Sequence, residues 1–325
     1  MKILLVQTAS LGDVVLATSA VHSLKHAFPE AEIHFVCKHS TADILRNHPW
    51  IHTLWVWDKS SKKLNHLLKL IFSLRKHRFD AAITFQRYFS SAFLLLCIKA
   101  NKKALFSSNF LSYFFKHRIQ HVFIGKHETE RNWELLKTIF PTIEYKKPIL
   151  FPLIPQQSLP TKPFITIFPG SLWETKRTPL EKWIELIRQL PSDWEVLLLG
   201  SKADNSLADF IKKHAGRESV HNWCGQLSLL EIAYVMKQAQ MNYSNDSAPT
   251  HIASAVDAPV TTVYCSTIPA FGFYPISSRS FIVEPAEKLD CRPCNNHGKR
   301  NCPLKHFHCG NTIDVSSLLK PLKHE

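Results

Sequence analysis

A chain that alternates strand-like and helix-like segments from end to end is interrupted once, where six prolines (Pro141, Pro148, Pro152, Pro155, Pro160 and Pro163) fall within 23 residues. Proline lacks an amide donor and fixes φ, so neither a helix nor an inner strand runs through such a stretch. Each side must therefore build its own core. This predicts two domains, 1–155 and 156–325, consistent with roughly 150 residues per domain.

Ahead of the break, short apolar runs at 3–6, 33–37, 53–57 and 81–85 alternate with helix-period segments at 14–27, 42–46, 64–78 and 128–139. After it, runs at 164–168, 195–199, 241–244 and 260–264 alternate with helical segments at 180–190, 204–214, 228–238 and 249–256. Ser228, with Glu231 three residues on, is a capping-box pair, and Pro179 suits a first helical turn. Repeated crossovers of this kind build parallel sheets. The expected class is α/β, with two Rossmann-like, doubly wound domains facing a central cleft and ligands outside the carboxyl ends of the strands. No Gly-x-Gly-x-x-Gly follows the first strand and no Walker A sequence occurs, which removes the main support for a nicotinamide dehydrogenase or a P-loop ATPase.

The charge is uneven. Lys plus Arg number 40 against 26 acids, a net +14, and residues 59–118 hold 13 cations against the single acid Asp80, which is +12 of that total. Aromatic rings crowd the same stretch, so it suits an anionic membrane or a phosphorylated amphiphile, or else a solvated face over a Phe-rich core. Nucleic acid is the weakest partner, because no helix-turn-helix, zinc-finger or RNP-type pattern accompanies the charge. Apolar residues at 45% and charged residues at 20% exclude a largely disordered chain. The longest apolar runs, such as 93–98, fall far short of the roughly 20 residues that span a bilayer. Residues 1–6 lead directly into a strand, without a secretory leader, which predicts a cytoplasmic protein whose eight cysteines are reduced thiols or metal ligands.

Three strand-to-helix junctions carry residues suited to chemistry. The first, Thr8-Ala9-Ser10-Leu11-Gly12-Asp13, offers Gly12 for a tight turn and Asp13 near a helix N-terminus, either as a capping carboxylate or as a functional one. The second, residues 169–177, carries Ser171, Thr175, Lys176 and Arg177, and reads as a phosphate clamp or as a solvated helix entry. The third, residues 244–251, sets Asp246, Ser247, Thr250 and His251 at a helix start, where free amides and the macrodipole attract anions. Asp246 is ill suited by charge to touch phosphate, so it is expected to orient donors or to bind hydroxyls. A carboxylate in one domain and a cation-and-amide cradle in the other suit a general base set against a diphosphate leaving group.

These residues resemble glycosyltransferase family 9, the lipopolysaccharide heptosyltransferases. The segment from Lys2 through Ser10-Leu11-Gly12-Asp13-Val14-Val15 is similar to the family's opening. Lys176-Arg177-Thr178-Pro179 with Trp183 resembles its Lys-Arg-aromatic-Pro motif, and Asn245-Asp246-Ser247 through His251 its Asp-Ser/Thr-Gly-x-x-His block. The resemblance implies a GT-B fold with a C-terminal helix at 315–322 returning towards the first domain. It also implies an ADP-L-glycero-D-manno-heptose donor, an anionic lipopolysaccharide inner-core acceptor at the cytoplasmic membrane surface, and inversion without a catalytic metal. On that pattern Asp13 is the base, with Ser10 and Gly12 on the acceptor side. Lys176 stabilises the diphosphate; Ser171, Asp246, Ser247 and His251 bind the donor; Gly200 and Asp204 meet its ribose. Ala248-Pro249, Thr178 and Cys265 depart from the pattern, and Pro249 removes one amide from the cradle.

Cys291-Arg292-Pro293-Cys294 with Cys302 and Cys309 resembles the tail of the heptosyltransferase II-like branch. Four cysteines within 20 residues can form a tetrahedral zinc site, but the second pair is irregularly spaced for a zinc ribbon, so reduced thiols packing the tail are favoured. Two alternatives stand beside heptosyl transfer: a GT-B enzyme for another nucleotide sugar, and a catalytically silent membrane-peripheral binding protein.

Overall fold

Unbroken apolar runs become inner parallel strands, because helices cover such a strand on both faces. The computed structural model describes residues 1–59, 62–108 and 110–322. It divides into two units, 1–151 and 152–325, a boundary inside the proline-rich stretch and slightly ahead of residue 155.

The first unit runs β1 (Lys2–Val6), α1 (Leu11–Ala27), β2 (Glu32–Lys38), β3 (Thr53–Trp57), α2 (Lys63–Leu74), β4 (Phe79–Thr84), α3 (Phe89–Cys97), β5 (Ala100–Phe106), β6 (His117–Ile119) and α4 (Glu128–Lys137). Its six-stranded sheet has the order β3-β2-β1-β4-β5-β6. Every pairing is parallel, with Leu4 registered between His34 and Ala82. The second unit runs β7 (Phe164–Phe168), α5 (Leu180–Arg188), β8 (Glu195–Leu198), α6 (Asn205–Ala215), β9 (Val220–Asn222), α7 (Leu229–Gln238), β10 (Met241–Asn245), α8 (Ala248–Ala255), β11 (Val260–Val263), β12 (Ser280–Val283), α9 (His308–Asn311) and α10 (Val315–Leu319). Its sheet is likewise parallel, in the order β12-β11-β10-β7-β8-β9. In both sheets the chain reverses its direction of travel beside the first strand, at β1/β4 and at β7/β10. Those are the switch points where the crevice for a ligand opens.

Local differences from the sequence reading have identifiable causes. Residues 42–46 form successive i→i+3 turns instead of a helix, through Leu45 N–H to Ala42 O and Arg46 N–H to Asp43 O. The 64–78 segment stops at Leu74, and α3, β5, β6, β9 and β12 carry no signal that the sequence reading used. The C-terminal helix is shorter than 315–322, ending at Leu319 before a 3-10 turn over Lys320–Leu322. Its Val315 and Leu318 belong to the second unit's core, and Tyr243 Oη donates to Leu318 O at 2.8 Å. The start of the proline-rich stretch is no free linker. Lys146 and Ile149 donate their amides to Ser23 and Thr18 of α1, and Ser19 Oγ donates to Lys146 O at 2.6 Å.

One buried ionic network anchors α4. Arg131 Nη1 donates to Glu128 Oε2 at 2.8 Å, His121 Nε2 lies 3.2 Å from the same oxygen, and Arg131 Nη2 donates to Phe123 O. Burial of the Glu128 carboxyl opposes ionisation, but His121 and Arg131 outweigh it and hold the group below the usual range. Its contribution to stability is therefore present above the ordinary carboxylate pKa of about 4.3 and lost as pH falls. Glu128→Ala leaves the buried Arg131 guanidinium without its carboxylate, and should cost about 3–5 kcal/mol in urea denaturation. A loss below about 1 kcal/mol, the value of a surface pair, would show that the network carries no such burden.

Candidate active site

The donor-side candidates converge at the carboxyl ends of β7, β8 and β10. Lys176 Nζ pairs with Asp246 Oδ2 at 2.6 Å and donates to the Asp246 carbonyl at 3.1 Å. Thr267 Oγ1, in the turn after β11, donates to the same carboxylate oxygen at 2.7 Å. An ammonium has three donors, and these contacts occupy two. Asp246 thus fixes the direction of the Lys176 side chain. Ser247 Oγ donates back to Asn245 O, and His251 lies buried in the first turn of α8 beside Phe273. Ala248 adopts ordinary helical geometry, and Pro249 sits in the first turn. Thr250 is not a ligand-facing donor: it is fully buried and bonded to Ser244, Asn245 and Thr262. Arg177 Nε closes the loop onto Ser171 O at 2.9 Å.

Gly200 and Asp204 meet Gly170 at the ends of β7 and β8. Asp204 Oδ2 accepts from the Ser201 amide and hydroxyl, at 2.8 and 2.7 Å. A Cβ on Gly170 would lie 2.0 Å from Asp204 Oδ1, and one on Gly200 2.8 Å from Oδ2. The two glycines therefore make room for this carboxylate, which no side chain at either position would allow.

On the first unit, Ser10 is the N-cap of α1 and Asp13 its reciprocal partner. Asp13 Oδ2 accepts from the Ser10 amide and hydroxyl, at 3.1 and 2.5 Å. Gly12 forms no tight turn; it lies buried inside the first turn of the helix with negative φ. At the adjoining switch point the buried pair Gln7 and Gln86 bridges the ends of β1 and β4.

Four contributors, Asn245, Arg292, Gly298 and Lys59, have no site role assigned from the sequence. Asn245, fully buried, accepts from Thr178 N and Oγ1 at 2.8 Å each, and its Nδ2 lies 3.0–3.2 Å from the carbonyls of Phe168, Pro169 and Gly170. It fastens the whole cationic loop to β10. Thr175 and Gly298 join that loop to the cysteine-bearing tail, and Arg292 joins the turn after β11 to the same tail. Thr175 Oγ1 exchanges bonds with the Lys299 amide and carbonyl, while Arg292 clamps the carbonyls of Tyr264, Cys265 and Thr267 at 2.6–3.1 Å. Gly298, at φ +88°, lies where a Cβ would come within 3.0 Å of Lys176 Cγ and Trp173 Cβ. Lys59, counted before only as charge, donates to Thr8 Oγ1 at 2.7 Å on the loop that leads to Asp13. Burial, with Lys38 and Lys63 nearby, pushes its ammonium down to about 8.

The cysteines are free thiols. Burial, then the neighbouring Cys294, Cys302 and Cys291, raises Cys309 to about 11. Among the described residues no three His, Cys, Asp or Glu side chains stand close enough together to hold a metal ion. What the tail visibly does is brace the loops around Lys176 and Thr267.

Two doubly wound parallel-sheet units of six strands each define an α/β fold of the GT-B type. The family model for glycosyltransferase family 9 (heptosyltransferase) matches residues 67–306, and the chain belongs to that family of enzymes. Lipopolysaccharide heptosyltransferase 1 of Campylobacter coli is 24% identical, over 99% of this chain and 98% of its own length. The counterpart from Pseudomonas aeruginosa is 27% identical over 90% and 86%. The solved ADP-heptose lps heptosyltransferase II of E. coli shares the fold, with a TM-score of 0.80 at 20% identity over 99% and 98% of the two chains.

Gly298→Ala forces a side chain into left-handed backbone and against Lys176, and should cost about 1 kcal/mol or more of stability. Urea denaturation should show the loss, and a stability unchanged from the wild type would show that the tail does not press on the Lys176 loop.

Proposed function

We propose that the chain transfers a heptose from ADP-L-glycero-D-manno-heptose to the inner core of lipopolysaccharide, with inversion and without a catalytic metal. The observation that carries this reading is Lys176 fixed by Asp246 and Thr267 beside the N-terminus of α8, a neutral cradle that gains strength when diphosphate charge develops. The names of the relatives supply the sugar and the acceptor class. The E. coli heptosyltransferase WaaC, of the same fold at a TM-score of 0.73, was solved with ADP and with ADP-2-deoxy-2-fluoro heptose.

In this mechanism the acceptor hydroxyl attacks the anomeric carbon as the bond to the diphosphate breaks. The hydroxyl proton passes to Asp13, and ADP leaves with its charge met by Lys176 and the α8 amides. Attack from the face opposite the leaving group inverts the centre. Ser10 holds the Asp13 carboxylate in place, while Asp204, between Gly170 and Gly200, is the ribose group of the donor site. Lys59 supplies a cation for an anionic acceptor.

Asp13→Ala would also remove the carboxylate half of the capping box, so Asp13→Asn is the cleaner test because its amide oxygen still accepts from Ser10. Asp13→Asn should lower kcat by about 10²–10⁴ while ADP still raises the melting temperature. Retained turnover would remove Asp13 from the role of base. ADP, but not UDP or GDP, should stabilise the protein; the reverse would favour another nucleotide sugar. A chelator should leave turnover unchanged.

Lys59 gives a separate prediction. Its cation is lost as pH rises through about 8, so KM for an anionic acceptor should rise above that pH. Lys59→Met should make the profile flat there, and an unaltered profile would exclude the lysine from acceptor binding.

A further inference from the structure

Four residues, 7–10, join β1 to α1 in the first unit, so whatever fixes that loop fixes the start of the helix that carries Asp13. Each of its last three residues has its own tie. Thr8 Oγ1 accepts from Lys59 Nζ at 2.7 Å, the Ala9 amide donates to Gln7 Oε1 at 3.2 Å, and Ser10 is closed onto Asp13 through the capping box. The tie at Ala9 continues into the sheet. Gln86, just beyond the carboxyl end of β4, donates its Nε2 to the same Gln7 oxygen, and its backbone amide donates to Thr84 Oγ1 at 3.1 Å. Both glutamines are buried, at 1% and 5% exposure.

One fixed donor sets the orientation of both side-chain amides. A backbone N–H can only donate, so the Gln7 atom that faces Ala9 is the oxygen. That oxygen requires an N–H from Gln86, which turns Gln86 Nε2 towards Gln7 and leaves Gln86 Oε1 on the other side. There Oε1 is buried and meets no donor among the described residues. A buried acceptor left unmet opposes folding by as much as one hydrogen bond returns, or more. An unbranched apolar side chain of similar size would fill the position without that penalty. Glutamine is thus a poor choice for packing at the end of β4 and a good one for holding the loop ahead of Asp13.

We propose that Gln86 is a positioning residue for acceptor activation: through Gln7 and the Ala9 amide it sets the β1–α1 loop, and with it the place of the Asp13 carboxylate. The inference rests on the proposed role of Asp13 as base, and adds the side chain that aims it. Gln86 touches neither substrate. It acts by restricting where the loop can stand, since displacing a reacting group by about 1 Å can cost about a hundredfold in rate. Lys176, Asp204 and Asp246 belong to the second unit and its separate sheet, so donor affinity should not follow the loop.

The test compares the wild type with Gln86→Met and Gln86→Glu, using ADP-heptose, heptose-deficient lipopolysaccharide as acceptor, and urea denaturation. Gln86→Met removes the unmet oxygen together with the bond to Gln7. Its urea midpoint should stay at the wild-type value or rise, while kcat falls about tenfold to a hundredfold and KM for the donor is unchanged. A purely structural glutamine gives the opposite, a lower midpoint with wild-type kcat. Gln86→Glu supplies the rescue. Its carboxyl, when protonated, donates an O–H to Gln7 Oε1 as the amide does; ionised, it can only accept and faces another acceptor. Burial raises the pKa of such a carboxyl, so the ratio of variant to wild-type kcat should rise as pH falls. The ratio cancels the titrations of Lys59 and Asp13, which both proteins share. Wild-type kcat in Gln86→Met, or a Gln86→Glu ratio that stays constant with pH, overturns the inference and leaves the proposed function standing. A wild type that transfers no sugar overturns the proposed function, and this inference with it, so the wild-type assay tells the two failures apart.

Discussion

The switch point of the second sheet is organised around a lysine that is never left alone. A flexible ammonium at a loop would spread over many rotamers, and fixing it costs side-chain entropy. Here the Asp246 carboxylate and carbonyl hold it, Thr267 holds Asp246, and Asn245 fixes the loop from which the lysine springs. A positioned charge needs no reorganisation when a leaving group turns anionic, which is why preorganised donors are effective electrostatic catalysts. The same pairing keeps this junction close to neutral, so the cation is not a lone charge in a partly desolvated place.

The tail after β12 acquires a purpose from this arrangement. Its cysteines invite a reading in terms of metal, yet its strongest contacts are made by Arg292, Lys299 and Gly298. Arg292 gathers three carbonyls of the turn after β11 and also pairs with Glu284 at 2.7 Å. Thr175 is enclosed between Lys299 and Ser266, so the loop before Lys176 is bound on one side by the sheet and on the other by the tail. A guanidinium with five donors suits the task of holding several carbonyls at once, which a lysine could not do.

The βα alternation was legible because inner parallel strands need apolar runs, and because their helices carry periodic faces. Strands β1, β7, β10 and β11 and helices α1, α5 and α7 follow from that rule. Helix α3 escaped notice because Phe-Ser-Ser-Ala-Phe-Leu-Leu-Leu-Cys has no polar face to set a period. Strand β5 carries Asn101, Lys102 and Lys103 in its first half, and β6 and β9 span only three residues each. For the site, residues at strand-helix junctions could be picked out by charge and by motif. Asn245, Thr267 and Arg292 could not, since a buried side chain that bonds to carbonyls leaves no pattern along the chain. Arg292 was further obscured by the cysteines on either side of it.

In the first unit, geometry separates two kinds of surface by the direction of the strands. The loop holding Ser10 and Asp13, with Lys59 beside it, lies at the carboxyl ends, where α1 begins. Helices α2 and α3 begin at that same end, following β3 and β4, and their exposed side chains run the length of the sheet to a cavity lined by Arg75 and Lys103 at the amino ends. Parallel strands place every helix start at the same edge, so the Ser10–Asp13 capping pair of α1 and the amino ends of α2 and α3 share that edge without sharing a residue.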